Sequence, residues 1–127
     1  MIFYVFVGML FLHIVDDFYL QSNILVSLKQ RSWWQRNAPD SLYKHDYIVA
    51  LIMHSISWTT MIMIPVFAYR YFNGYAVSPL IIIVYIINIM VHAFIDDQKA
   101  NKMTINLVLD QSIHMLQIIG TFMACIV

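Results

Sequence analysis

Charged residues are scarce in this sequence, and neither sign of charge is in excess. Of 127 residues, 11% are charged and 61% are hydrophobic, and the formal net charge is zero. Soluble domains carry about 25% charged residues. The composition therefore indicates an integral membrane protein. The lack of a basic excess that could neutralise phosphates argues against nucleic acid as a partner.

Cysteine and the common catalytic motifs are also nearly absent. The single Cys125 can form no intrachain disulfide and no CxxC metal or redox site. There is no HExxH, no GxSxG and no glycine-rich phosphate loop, so zinc-protease, serine-hydrolase and nucleotide-binding functions have no support. The first residues, MIFYVFVGMLFLHIV, lack the basic region and cleavage site of a signal peptide, and we expect a retained helix.

Long apolar runs are what the sequence does contain. A hydrocarbon core of about 30 Å requires about 20 mostly apolar helical residues. We predict an all-α fold, a single integral membrane bundle spanning residues 1–127, with four transmembrane helices at roughly 1–26, 46–70, 78–98 and 104–127. Pro65 lies near the end of the second helix, where we expect a kink.

Basic residues indicate the orientation of this bundle. Only Arg70 lies between the second and third helices, whereas the first and third connections hold Lys29, Arg31, Arg36, Lys44, Lys99 and Lys102. The positive-inside bias predicts these two connections in the cytoplasm of a bacterial inner membrane, with both termini outside. In the first connection, Trp33, Trp34 and Tyr43 predict a segment lying in the membrane interface.

Three of the predicted helices carry a histidine and an aspartate four residues apart. The pairs are His13 and Asp17, His92 and Asp96, and Asp110 and His114. Residues four apart share one helix face. The last helix runs in the opposite direction to the other two, and in its pair the aspartate comes before the histidine. The three aspartates therefore lie at one depth in the membrane and the three histidines at another. We expect a layer of carboxylates near the cytoplasmic face, and a layer of imidazoles one turn deeper that His54 could join.

The number of these pairs argues for a shared site. One polar pair in a membrane helix often only joins neighbouring helices. An ionisable side chain deep in a bilayer costs at least about 2.5–3.5 kcal/mol, so three pairs at one depth predict mutual compensation. Asp16 and Asp97 point about 100° away from the paired aspartates on an ideal helix. We expect them at the cytoplasmic interface, although a place at the rim of the site or behind the ligands stays open.

Histidine with carboxylate is a ligand set for zinc, manganese or iron. Three histidines and three carboxylates would suffice to bind two ions and leave coordination positions open for water. Water bound to such an ion ionises near neutral pH and acts as a nucleophile. We predict His54 as a further ligand or general base, and Lys99 as the group that holds an anion such as phosphate. Gln21, Gln98 or Gln111 would orient that anion. The predicted metal ligands are His13, Asp17, His92, Asp96, Asp110 and His114.

Taken together, these motifs resemble a known family. The chain is similar to small bacterial and phage integral membrane proteins catalogued as a domain of unknown function. The likeness covers nearly the whole chain and implies a polytopic membrane protein with these polar residues as its signature. It implies no activity, substrate or cofactor. The residues that carry it are His13-x3-Asp17-Phe18-x-Leu20-Gln21, Lys29, His54, His92-x3-Asp96-x2-Lys99 and Asp110-Gln111-x2-His114.

Three functions of different classes fit this pattern. The leading prediction is a metal-dependent intramembrane hydrolase that acts on a membrane lipid or a lipid-linked, phosphate-bearing substrate. The second is a small transporter or channel subunit that moves ions or protons. The ionisable residues cluster on the cytoplasmic side and do not span the membrane, which argues against this function. A four-helix protomer of this size would also need to form a homo-oligomer to make a pathway. The third is a non-catalytic interaction protein, such as a phage factor acting on the host membrane.

Overall fold

The computed structural model describes residues 2–126, which form an all-helical bundle. Four stretches are long and apolar enough to cross a membrane: Ile2–Leu20, Ser41–Phe72, Pro79–Lys102 and Leu107–Cys125. This confirms the predicted fold class. In chain order the helices are α1 (Ile2–Ile14), α2 (Asn23–Leu28), α3 (Arg31–Asn37), α4 (Asp46–Phe72), α5 (Pro79–Asp97) and α6 (Leu107–Cys125).

The ends of two long helices are wider than an α-helix. α1 continues as a π-helix over Val15–Leu20, and α5 continues as a π-helix over Gln98–Lys102. A π-helix is hydrogen-bonded between residues five apart and occurs frequently at functional sites. Both segments contain residues that the sequence marks as chemically important.

The first predicted helix is shorter than its expected range of 1–26. It ends at Leu20, where Gln21 turns to an extended backbone. The Ser22 side chain then accepts a hydrogen bond of 3.2 Å from the Leu25 amide and so caps α2 as a separate helix. In the same way, the Asn106 side chain accepts a bond of 2.9 Å from the Leu109 amide and begins α6 later than the predicted residue 104.

α4 is the central helix and packs along both α1 and α5, while α6 packs against α5 and α1. The helix continues through Pro65. Gly8 makes room for this proline, because a Cβ atom at Gly8 would lie 3.1 Å from Pro65 Cγ. The apolar core lies around this contact and consists of Val5, Met9, Trp58, Ile62, Met63, Val66, Ile81, Ile118 and Cys125.

The surface of the bundle is strongly apolar. Large side chains such as Phe11, Ile82 and Phe94 are more than half exposed. Four histidines and three aspartates are buried instead, in the parts of α1, α4, α5 and α6 and of the π-helix after α1 that lie toward one end of the bundle: His13, Asp16, His54, His92, Asp96, Asp110 and His114. Apolar faces outside and ionisable groups inside are compatible with a membrane protein and place the candidate site at one end of the bundle.

Candidate metal centre

The three predicted histidine–aspartate pairs converge in one cluster. Within the pairs, the nearest nitrogen-to-oxygen distances are 3.6 Å in α1 and its extension, 3.7 Å in α5 and 3.3 Å in α6. Contacts between helices join them, because His114 Nε2 lies 3.5 Å from Asp96 Oδ1. His54 of α4 completes the cluster, with Nε2 lying 3.5 Å from Asp17 Oδ1 and 3.6 Å from Asp96 Oδ2.

His92 lies at the centre of the cluster and is fully buried. Its ring stacks between Trp58 and His114, with centroid distances of 4.3 Å and 4.1 Å. Neither ring nitrogen has a hydrogen-bond partner. A buried polar atom without a partner costs free energy, so such an atom in a rigidly held ring marks a position that suits a ligand.

His114 also presents a nitrogen without a partner, Nε2. Gln117 Nε2 donates to the backbone oxygen of Asn88 at 3.2 Å, which leaves Gln117 Oε1 to accept from His114 Nδ1 at 3.0 Å. In a neutral imidazole the Nε2 lone pair then faces Asp96 Oδ1 at 3.5 Å and Asp110 Oδ1 at 3.3 Å. Three acceptor atoms therefore face one another, and a cation among them would satisfy all three.

Two groups of three side chains have the spacing of metal ligands. In each group, one donor atom per residue lies within 4.8 Å of the others. We call them the inner triad, which is His92, Asp96 and His114, and the outer triad, which is Asp17, His54 and His92. The two triads share His92 and include five of the residues that the sequence singled out.

His13 was predicted to be a metal ligand, but both its nitrogens already have partners. Its Nδ1 accepts a hydrogen bond of 2.8 Å from Trp58 Nε1, so its Nε2 carries the proton and donates to Gln111 Oε1 at 3.1 Å. Gln111 Nε2 in turn donates to Asp17 Oδ2 and Asp110 Oδ2, each at 3.1 Å. The structure therefore gives His13 a supporting position behind two carboxylates.

Two lysines each bind one oxygen of an aspartate in the cluster. Lys99 Nζ lies 2.7 Å from Asp110 Oδ2, and Lys29 Nζ lies 2.6 Å from Asp96 Oδ2. In both aspartates the other oxygen, Oδ1, faces an imidazole. Lys99 was predicted at the site. Lys29 was counted only among the basic residues of the first connection and in the family motif, yet it is 7% exposed and part of the cluster.

Asp16 was expected at the interface, but it is buried in the cluster and 1% exposed. Its Oδ1 accepts a bond of 2.6 Å from Ser57 Oγ, and its Oδ2 lies 3.6 Å from His54 Nδ1. The π-helix explains the difference, since the Gln21 amide donates to the Asp16 carbonyl at 3.0 Å, five residues back. More residues per turn reduce the angle between neighbours, so Asp16 and Asp17 both point inward.

The remaining polar predictions divide in two. Gln21 Nε2 lies 3.3 Å from His54 Nε2, which places this amide at the site. Gln98 Oε1 accepts a hydrogen bond of 3.1 Å from the Thr104 hydroxyl and takes no part in the cluster. Asp97 accepts a bond of 2.8 Å from Asn101 and lies outside the cluster, unlike its neighbour Asp96.

A small cavity of about 110 Å³ gives access to the outer triad. The cavity is lined by carboxylates, one imidazole and two ammonium groups, but by neither His92 nor His114: Asp17, Asp96, Asp110, His54, Lys29 and Lys99. A neighbouring cavity of about 300 Å³ shares both lysines and adds the apolar side chains of Val26 and Met103. The rings of His92 and His114 are therefore closed off, whereas Asp96 lines both cavities. Asp17 and His54 of the outer triad face open space with two ammonium groups beside them.

Comparison with known proteins identifies one family. Residues 5–127 match a family model whose description is "Protein of unknown function (DUF3307)". Neither a curated protein nor a solved structure matches the chain. Because the family model covers nearly the whole chain, the predicted resemblance is confirmed, and the protein belongs to the DUF3307 family.

Proposed function

We propose that this chain is a metal-dependent membrane hydrolase that acts on a lipid-linked or phosphate-bearing substrate. The proposal is carried by the inner triad, in which His92 and His114 direct nitrogens without hydrogen-bond partners toward Asp96. Imidazole nitrogen and carboxylate oxygen suit zinc, manganese or iron. Asp110 Oδ1 also has no partner and lies next to this group, so it can act as a fourth ligand.

The chemistry divides between the ion and the side chains around the cavity. A bound divalent ion lowers the pKa of a coordinated water molecule and polarises a phosphoryl oxygen. His54 faces the cavity and can accept a proton or act as a further ligand. The Lys99 side chain is 38% exposed, compared with 9% for Lys29, so Lys99 is the more accessible ammonium group for an incoming anion.

The proposed location is the bacterial inner membrane, with the metal end of the bundle toward the cytoplasm. Six of the seven lysines and arginines lie in the connections at that end, while Arg70 lies at the other. Val26 and Met103 give the larger cavity an apolar wall. A lipid-linked substrate would enter there from the inner leaflet, with its head group near Lys29 and Lys99 and both chain termini on the outer side.

A second candidate is a proton- or ion-coupled transporter subunit. A proton on His114 Nε2 would satisfy the same acceptor atoms of Asp96 and Asp110 as a metal ion would. However, the other end of the bundle is filled by the apolar side chains of Val5, Ile62 and Val66. A proton path through this protomer would have to cross that core, and we therefore favour the hydrolase.

The test is phosphate release from a membrane substrate by the purified chain. Nanodiscs containing phosphatidic acid or a lipid diphosphate are incubated with zinc, manganese or iron, and inorganic phosphate is measured. We expect release that a chelator abolishes and that His92→Asn lacks. His45→Asn is the matched control, because His45 is exposed and lies outside the cluster. Undiminished release by metal-free protein would contradict the proposal, and proton flux into proteoliposomes that survives chelation would favour the transporter.

A further inference from the structure

The formal charges of the cluster do not balance. It contains the carboxylates of Asp16, Asp17, Asp96 and Asp110 and the ammonium groups of Lys29 and Lys99. Four negative and two positive charges leave a formal charge of −2 when the imidazoles are neutral. Net charge in a water-poor interior is costly, so a single divalent cation matches this cluster.

The two triads cannot both be complete at once. They share His92, and a neutral imidazole has one lone pair to offer a metal. If His92 serves the inner triad, the outer triad keeps only Asp17 and His54. A second ion held by two protein ligands has open coordination positions that other donors must fill.

The open positions lie where an outside ligand can reach them. Asp17 and His54 line the cavity of about 110 Å³ together with Lys29 and Lys99. A second divalent ion would give the cluster a formal charge of +2. A phosphate monoester dianion would supply both the missing oxygen donors and the two negative charges, and the ammonium groups of the lysines lie beside it.

We infer that the cluster holds one divalent cation by itself and takes up a second one, at Asp17 and His54, only together with a dianionic phosphate group. This inference rests on the proposed function, because it assumes the first ion in the inner triad. By thermodynamic linkage, the second ion and the phosphate each raise the affinity of the cluster for the other. The same dianionic group occurs in a lipid phosphate head group and in free phosphate.

The measurement is the number of manganese ions per chain after equilibrium dialysis, determined by elemental mass spectrometry. The full chain is held in phosphatidylcholine nanodiscs with chloride or with inorganic phosphate, and separately in nanodiscs containing phosphatidic acid. Empty nanodiscs of each composition give the background. We expect one ion per chain with chloride and two with a phosphate source. A rise with only one source also supports the inference and identifies whether the group is lipid-borne or soluble.

Two variants test the assignment of the second ion. Asp17→Asn should bind one ion whether or not phosphate is present. Asp97→Asn is the matched control and should respond to phosphate like the parent, because Asp97 bonds to Asn101 outside the cluster. If a variant does not fold, the number of ions bound by the parent with chloride and with phosphate is itself the test of the inference.

The inference and the proposed function fail in different ways. One ion under every condition, two ions with chloride alone, or a phosphate response that persists in Asp17→Asn would overturn the inference and leave the inner metal centre intact. No bound ion under any condition would overturn the proposed function itself.

Discussion

Trp58 Nε1 donates a hydrogen bond of 2.8 Å to His13 Nδ1, and the same indole ring stacks on His92 at 4.3 Å between centroids. One fully buried side chain therefore sets the tautomer of a supporting histidine and covers one face of the central one. The orientation of the proposed metal ligands depends on this indole, although it offers no ligand atom itself.

Replacing Trp58 by phenylalanine separates these two roles. Trp58→Phe keeps an aromatic ring against His92 but leaves His13 Nδ1 buried without a donor. We expect the free energy of unfolding to fall by about 1–3 kcal/mol. Metal affinity should also fall, because His13 supports Asp17 and Asp110 through Gln111. Denaturation in detergent and metal titration measure the two effects.

The control for this variant is Trp34→Phe. Trp34 Nε1 donates a bond of 2.8 Å to the Leu28 carbonyl in the first connection, away from the cluster. Its loss should leave metal affinity unchanged. An equal loss of metal affinity in both variants would show that Trp58 has no specific role at the site.

Gln117 should control metal affinity without touching the metal. It accepts from His114 Nδ1 at 3.0 Å and so keeps the Nε2 lone pair directed at the carboxylates. Groups that orient a ligating histidine in this way typically contribute about 10–100-fold in metal affinity. We expect a loss of this size in Gln117→Leu by isothermal titration. Gln35→Leu, at an exposed position in α3, should bind metal like the parent.

Lys29 should stabilise the metal-free protein more than the metal-bound one. Its buried pair with Asp96 is lost in Lys29→Met, and breaking such a pair costs about 3–5 kcal/mol. A metal ion in the inner triad would then compensate Asp96, so adding metal should raise the melting temperature more in this variant than in the parent. Lys44→Met, at an exposed position of the same connection, should melt like the parent. A metal-independent loss in Lys29→Met would contradict this account.

The proposed orientation predicts which connections a membrane-impermeant maleimide can reach in intact cells. In a Cys125→Ala background, Asn73→Cys between α4 and α5 should be labelled, whereas Ser32→Cys in α3 should be labelled only after the cells are lysed. Both positions are exposed, so a difference reports the side of the membrane and not burial. The reverse labelling pattern would show that the bundle has the opposite orientation in the membrane.

The periodicity of the sequence was sufficient to predict the helices and the convergence of three histidine–aspartate pairs. Spacing of four residues specifies a shared helix face, and apolar surroundings direct that face inward. The position of Asp16 was not predicted, because the prediction assumed α-helical geometry through Val15–Leu20, where the chain is a π-helix.

The supporting contacts could not be predicted because they join residues far apart in the chain. The Lys29 side chain reaches Asp96 across 67 positions, and the His13 ring reaches Gln111 across 98. Spacing identifies a possible ligand but does not show whether its nitrogens are already hydrogen-bonded. His13 and His92 occur in the same His-x3-Asp motif. Packing alone gives the nitrogens of His13 hydrogen-bond partners and leaves those of His92 without any.

The metal content of detergent-purified protein tests the central claim most directly. Elemental mass spectrometry is applied to the parent and to a variant with both Asp96→Asn and His114→Gln, after incubation with zinc, manganese or iron and removal of free metal. We predict about one ion per chain in the parent and none in a variant that keeps its helix content and remains monodisperse. A parent that stays free of all three metals, or a variant that retains the ion, would contradict the account.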